Sequence, residues 1–176
     1  MKGIFKGIIT IAIGGTIFTI SQTDLAKNFS KETGLTQEQA QQYVENIKDE
    51  DLASFDKIGS DFVSDGKGIL STNSSIDCVN YTYEWESSVL TCQKGKSQLA
   101  TIGNDEIALG QAYIKLASDS ATRDDISKVI SLIDRLNTDL KFEIVTSMLS
   151  PQTIDEMRKS NSYNKALLQT ALESKQ

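Results

Sequence analysis

The sequence predicts an all-α fold, a helical bundle built on a long antiparallel helical hairpin with a disulfide near its tip. Apolar residues recur at helical spacing in four stripes, several preceded by cap-forming residues, and the 176 residues include a single proline. One proline suits long helices better than a turn-rich β protein. The alternative is an α+β fold with a small β-hairpin at the tip.

The chain opens with Lys2 and Lys6, then an uncharged, mostly apolar stretch from Gly7 to Ile20, then polar residues from Ser21 onward. This is the order of a secretory signal peptide, with Thr19 and Ser21 as small residues for cleavage. The expectation is therefore a signal over 1–21 and a single helical domain over 22–176, exported to the periplasm or secreted. The alternative is a membrane tether formed by residues 4–20. Fourteen helical residues reach only about 21 Å across a hydrocarbon core of about 30 Å, which disfavours the tether. Export also predicts that Cys78 and Cys92 form a disulfide, because an oxidising compartment lets the pair close.

After a polar stretch to Gly34, Thr36 to Gln39 has the form of a capping box, and Ala40, Tyr43, Val44 and Ile47 follow at helical spacing. Leu52, Phe55, Gly59, Phe62, Gly66 and Ile69 then alternate in steps of three and four, as do Ala100, Gly103, Ile107, Gly110, Ile114 and Ala117. The second of these helices is expected to start near Ser88. Thr122 to Asp125 repeats the capping pattern ahead of Ile126, Val129, Ile130, Ile133, Leu136 and Leu140. Ser150-Pro151 ends one helix and begins another, with one or two short terminal helices interrupted around Asn161.

Residues facing each other across an antiparallel helix pair have a constant sum of residue numbers. A sum of 169 sets Leu52 against Ala117, Phe55 against Ile114, Gly59 against Gly110, Phe62 against Ile107, Gly66 against Gly103 and Ile69 against Ala100. The cysteine numbers add to 170, so the bridge closes the same hairpin. Glycine inside a helix costs about 1 kcal/mol relative to alanine, and close backbone approach explains four of them on one seam. Ser71 to Ser75, small and polar, is the weak stretch. The first helix is nevertheless expected to continue to about Trp85, with a turn at Glu86 to Ser88. The rival is a β-hairpin tip, drawn from the alternation of Val79, Tyr81, Tyr83 and Trp85 with polar residues.

The balance of 18 basic against 24 acidic residues, a net charge of −6, argues against nucleic acid as a partner, and against the membrane unless the N-terminal segment stays uncleaved. No histidine is present, which excludes Ser-His-Asp catalysis and imidazole metal sites, and two cysteines cannot make a four-thiolate cluster. Gly95-Lys96-Ser97 resembles the end of a phosphate loop, but Leu90 stands where its first glycine belongs. Asp61 to Gly66 resembles part of a calcium loop, yet Val63 occupies a ligand position. No catalytic, metal or cofactor site is predicted, and no cofactor.

The candidate partner-binding residues are Tyr81, Tyr83, Glu84, Trp85 and Glu86, where aromatic faces and carboxylates cluster around the single tryptophan. A recognition role there requires Trp85 to be exposed. The expected function is an exported, non-enzymatic binding or structural module that meets an envelope or extracellular partner through this tip. One alternative is a carrier of a small apolar ligand held between helices. Another is a carboxylate hydrolase using the acids of the tip.

Overall fold

The computed structural model describes residues 7–47 and 54–174. A β-hairpin, β1 (Ile8–Ile13) and β2 (Thr16–Ser21), precedes the helices α1 (Gln22–Thr33), α2 (Gln37–Asn46), α3 (Phe55–Ser75), α4 (Cys92–Ala117), α5 (Arg123–Asp139), α6 (Glu143–Met148) and α7 (Pro151–Glu173). The molecule is a helical bundle on an antiparallel α3/α4 hairpin, and its small antiparallel sheet lies at the N-terminal side rather than at the tip.

The stretch expected to act as an export signal or tether forms the β-hairpin. It is rich in isoleucine and threonine, whose branched side chains suit a pleated strand. Gly14 and Gly15 have φ of +58° and +72°, as the tight turn between twisted strands requires. Ile8 faces Ser21 and Ile13 faces Thr16 at the two ends of the ladder. Ile9, Ile13, Phe18 and Ile20 are buried in the main core, while Ile8 and Ile17 are exposed. The Gly14 amide donates to the Leu116 carbonyl at 3.2 Å, fixing the turn against the end of α4. No helix among the described residues is long and apolar enough to cross a membrane.

The polar stretch before Gly34 is helix α1, which buries Leu25, Ala26 and Phe29. Gly34 ends it at φ +72°, with its amide donating to the Ser30 carbonyl at 2.9 Å. Both capping boxes form, Thr36 with Gln39 and Thr122 with Asp125. Helix α7 begins at Pro151 behind the Ser150 cap and runs through Asn161 without a break. The Asn161 side chain, buried, donates to Asn137 Oδ1 at 2.9 Å, so the residue expected to interrupt the helix instead joins it to α5.

The seam between α3 and α4 has the expected register. A Cβ built on Gly59 would lie 2.5 Å from the Gly110 carbonyl oxygen, and one on Gly66 would lie 2.5 Å from that of Gly103. Tyr113 stacks beside Phe55 and Phe62, with ring centroids 5.9 and 6.0 Å apart. The Leu52 layer lies outside the described residues. Helix α3, however, stops at Ser75 and α4 starts at Cys92, so residues 76–91 are loop, neither helix nor strand. The Ser74 and Ser75 hydroxyls donate to the carbonyls of Ser71 and Thr72 at 2.7 Å, showing small polar side chains competing for helix backbone. Cys78 and Cys92 are bridged across this loop, with Cα atoms 5.6 Å apart.

The main core joins the hairpin to α1, α2, α4, α5 and α7. A second cluster, centred on Leu90, Ile102 and Ile144, lies under the loop.

Candidate functional site

The tip residues divide into two groups. Tyr83 and Trp85 stack on each other, with centroids 5.3 Å apart and planes 18° apart. The Tyr83 hydroxyl accepts from the Asp77 amide at 2.8 Å, and Glu86 Oε1 accepts from the Tyr83 amide at 2.7 Å. Trp85 is half-buried, packing into the second core cluster and over Gly95, where any Cβ would collide with the indole. Those three residues therefore fold the loop. Tyr81, 66% exposed, and Glu84, also exposed, stand free of the stack, and Val79 and Val89 of the same loop are exposed as well.

A more concentrated chemical site lies beneath, between α4, α5 and α6. Leu140 and Phe142 turn the chain sharply after α5, the Phe142 amide donating to the Asp139 carbonyl at 2.9 Å. This turn returns α6 onto α4, where it is fastened at one end. Lys94 Nζ donates to Glu143 Oε1 at 2.5 Å, Gln98 Nε2 donates to the other Glu143 oxygen, and the Ile144 amide donates to Gln98 Oε1 at 3.1 Å. The Lys94 and Gln98 hydrogen bonds hold the Glu143 carboxyl down at about 2.

Held this way, α6 roofs a cavity of about 200 Å³. Ile69 of α3, Leu99 and Ile102 of α4, and Leu136 of α5 line it together with Ile144 and Val145 of α6. Met148 and Met157, 60% and 38% exposed, also line it, and their flexible thioethers suit an opening that adapts to what passes. Within this apolar lining stand two carboxyls, Glu106 of α4 and Asp139 of α5.

Glu106 is 9% exposed and Asp139 4%, yet Glu106 Oε2 and Asp139 Oδ2 have no hydrogen-bond partner. Burial pushes Glu106 up to about 7, with the charges of Asp65 and Asp139 adding to the effect. Burial likewise raises Asp139 to about 6, reinforced by the charge of Asp105 and a hydrogen bond with it, and opposed by Arg135. Arg135 is itself committed to an ion pair with the buried Asp105. A buried carboxyl with an unsatisfied oxygen is costly, and such groups cluster where proteins bind or react. This pair can accept hydrogen bonds from a ligand, neutralise a cation, or donate when protonated. Among the described residues, no three acidic or cysteine side chains converge as metal ligands.

A larger cleft of about 550 Å³ is lined by Thr10, Tyr43, Phe55 and Asn164 among others, and among the described residues its lining carries no charged side chain. Sequence reasoning passed over Glu106 and Asp139 because acids on helices ordinarily face water. The available signal was position: Glu106 falls between Gly103 and Gly110 on an otherwise inward surface, and Asp139 adjoins Leu140 in the α5 stripe. The chain matches no protein-family model, and neither curated proteins nor solved structures include one similar to it.

Proposed function

We propose that the protein is an exported, non-enzymatic carrier that holds a small, largely apolar molecule in the cavity between α4, α5 and α6. The observation that carries this reading is an apolar cavity whose lining includes two largely buried carboxyls, each with one oxygen left without a hydrogen-bond partner. Apolar lining supplies affinity, and a few convergent polar groups fix orientation. Mass spectrometry of protein recovered from its native source under non-denaturing conditions tests it: a stoichiometric small molecule released on unfolding is the expected result. Trp85 supplies a second readout, because it packs in the cluster that contributes Ile102 and Ile144 to the cavity wall, so filling the cavity is expected to shift its emission.

A second reading, a binding module that meets an envelope partner through the loop, is favoured by Val79, Tyr81 and Val89, exposed at 88%, 66% and 65%. Tyr81→Ala is expected to weaken such capture without lowering the melting temperature.

Export is supported by the disulfide, which persists in oxidising compartments. Cleavage after Ser21 would remove four buried side chains from the core, each contributing about 1.5–3 kcal/mol. Intact mass of the exported protein distinguishes a form that keeps residues 8–21 from one that has lost them.

A further inference from the structure

We propose, resting on the carrier reading above, that the cavity selects a small primary aliphatic amine, its ammonium held by the carboxyls of Glu106 and Asp139 and its hydrocarbon tail laid along Ile69, Leu99, Ile144 and Val145. Glu106 and Asp139 are the charged side chains of the lining among the described residues, each keeps one buried oxygen without a hydrogen-bond partner, and an ammonium brings three donors and no acceptor. It thus adds donors to the acidic end of the cavity without creating a new unpaired acceptor.

Charge favours the same head group. Asp65 on α3, Asp105 on α4 and Arg135 on α5 are the charged groups that act on the pair, and Arg135 is paired with Asp105. The residues of α6 and α7 in the lining are apolar. Ionising Glu106 and Asp139 therefore leaves uncompensated negative charge in a low-dielectric site, which a carboxylate ligand worsens and an ammonium removes. An alcohol satisfies one acceptor and neutralises nothing.

Size limits the tail. The cavity is about 200 Å³, below the roughly 300–1,000 Å³ of ordinary small-molecule sites, so a short chain fits and a lipid-length chain does not. The lowered acidities add a linkage. With Glu106 raised to about 7 and Asp139 to about 6, protons compete with the ammonium, and binding displaces them to solvent.

The test uses the full-length oxidised chain and three probes with matched six-carbon tails: n-hexylamine, n-hexanol and hexanoate, followed by calorimetry and Trp85 emission. Hexylamine is expected to bind about tenfold more tightly than hexanol, as a charge-assisted hydrogen bond exceeds a neutral one, with hexanoate weakest. Its affinity is expected to fall severalfold between about pH 7.5 and pH 5, as protons reoccupy the pair. In Glu106→Gln the amine loses its advantage while hexanol binding persists. Equal binding of amine and alcohol, or hexylamine affinity independent of pH, overturns the amine assignment and leaves the carrier reading standing. Failure of all three probes to bind overturns both. The pH series on the unmodified protein keeps the assignment refutable even where Glu106→Gln fails to fold.

Discussion

Helix α4 meets its neighbours in two opposite ways. Toward α3 it offers Gly103 and Gly110, and the backbones come so close that a Cβ on Gly110 would stand 2.5 Å from the Gly59 oxygen and 2.8 Å from the Val63 nitrogen. Toward α5 and α6 it offers Leu99, Ile102 and Glu106, and the helices leave a cavity of about 200 Å³. Rigidity on one side permits incompleteness on the other. A glycine seam places α4 firmly enough that a wall with unsatisfied carboxyls does not collapse around them.

The largest expected effect is on the tie that closes the seam. Replacing both Cys78 and Cys92 with serine should lower stability by about 3 kcal/mol, the chain-entropy value for a loop of this length. Denaturant melts of the variant against the oxidised parent measure it. An unchanged midpoint would mean that the seam holds α4 without the bridge.

Added bulk separates the two faces next. Gly110→Leu drives a side chain into α3 backbone and is expected to cost about 2–3 kcal/mol. Gly103→Leu should cost less, about 1–2 kcal/mol, because its Cβ first meets the movable side chain of Leu70, at 2.8 Å, and the Gly66 carbonyl oxygen, at 2.9 Å, stands farther off than the Gly59 oxygen does from a Cβ on Gly110. Equal melting of either variant with the parent would break the comparison.

On the open face the expected signature is a pH slope. Burial raises Glu106 from its ordinary 4.5 to about 7, so the folded chain keeps a proton that the unfolded chain releases. Stability therefore falls as pH rises from about 4.5 toward about 7, and Asp139, raised from 3.8 to about 6, adds to the lower part of that window. Glu106→Gln should flatten the upper part, as thermal melts across the range will show.

The smallest effect should come from filling the cavity. Val145→Phe adds bulk comparable to that of the glycine variants, yet it is expected to change stability by no more than about 0.5 kcal/mol. A loss as large as that of Gly110→Leu would show that both sides of α4 are equally full.

The seam was legible because spacing is geometry: two series of residues stepping by three and four constrain one another, and two cysteines checked the register independently. The capping boxes at Thr36 and Thr122 were legible because cap chemistry is local. The N-terminal hairpin was not recognised, since an apolar run after two lysines satisfies the pattern of a signal before its branched residues and Gly14-Gly15 are weighed. The end of α3 was misplaced because a helix-length seam outweighed five small polar residues. At the tip, Tyr83 and Trp85 were visible as a pair, but only the fold shows that they lean on each other and on Gly95. The carboxyls of the cavity left almost no trace, because burial of an acid depends on what three helices bring around it.

Asn28 of α1 donates to Thr170 and to Glu173 near the end of α7, at 3.0 and 3.1 Å. The first helix thus waits for the last. On a ribosome, α3 and α4 can pair as soon as both have emerged, whereas α1 stays without its principal lid until synthesis is nearly finished. Assembly of the chain is accordingly ordered from its middle outward. Its early segments remain open to any factor that receives a nascent chain, and that factor can let go without disturbing a stem already built.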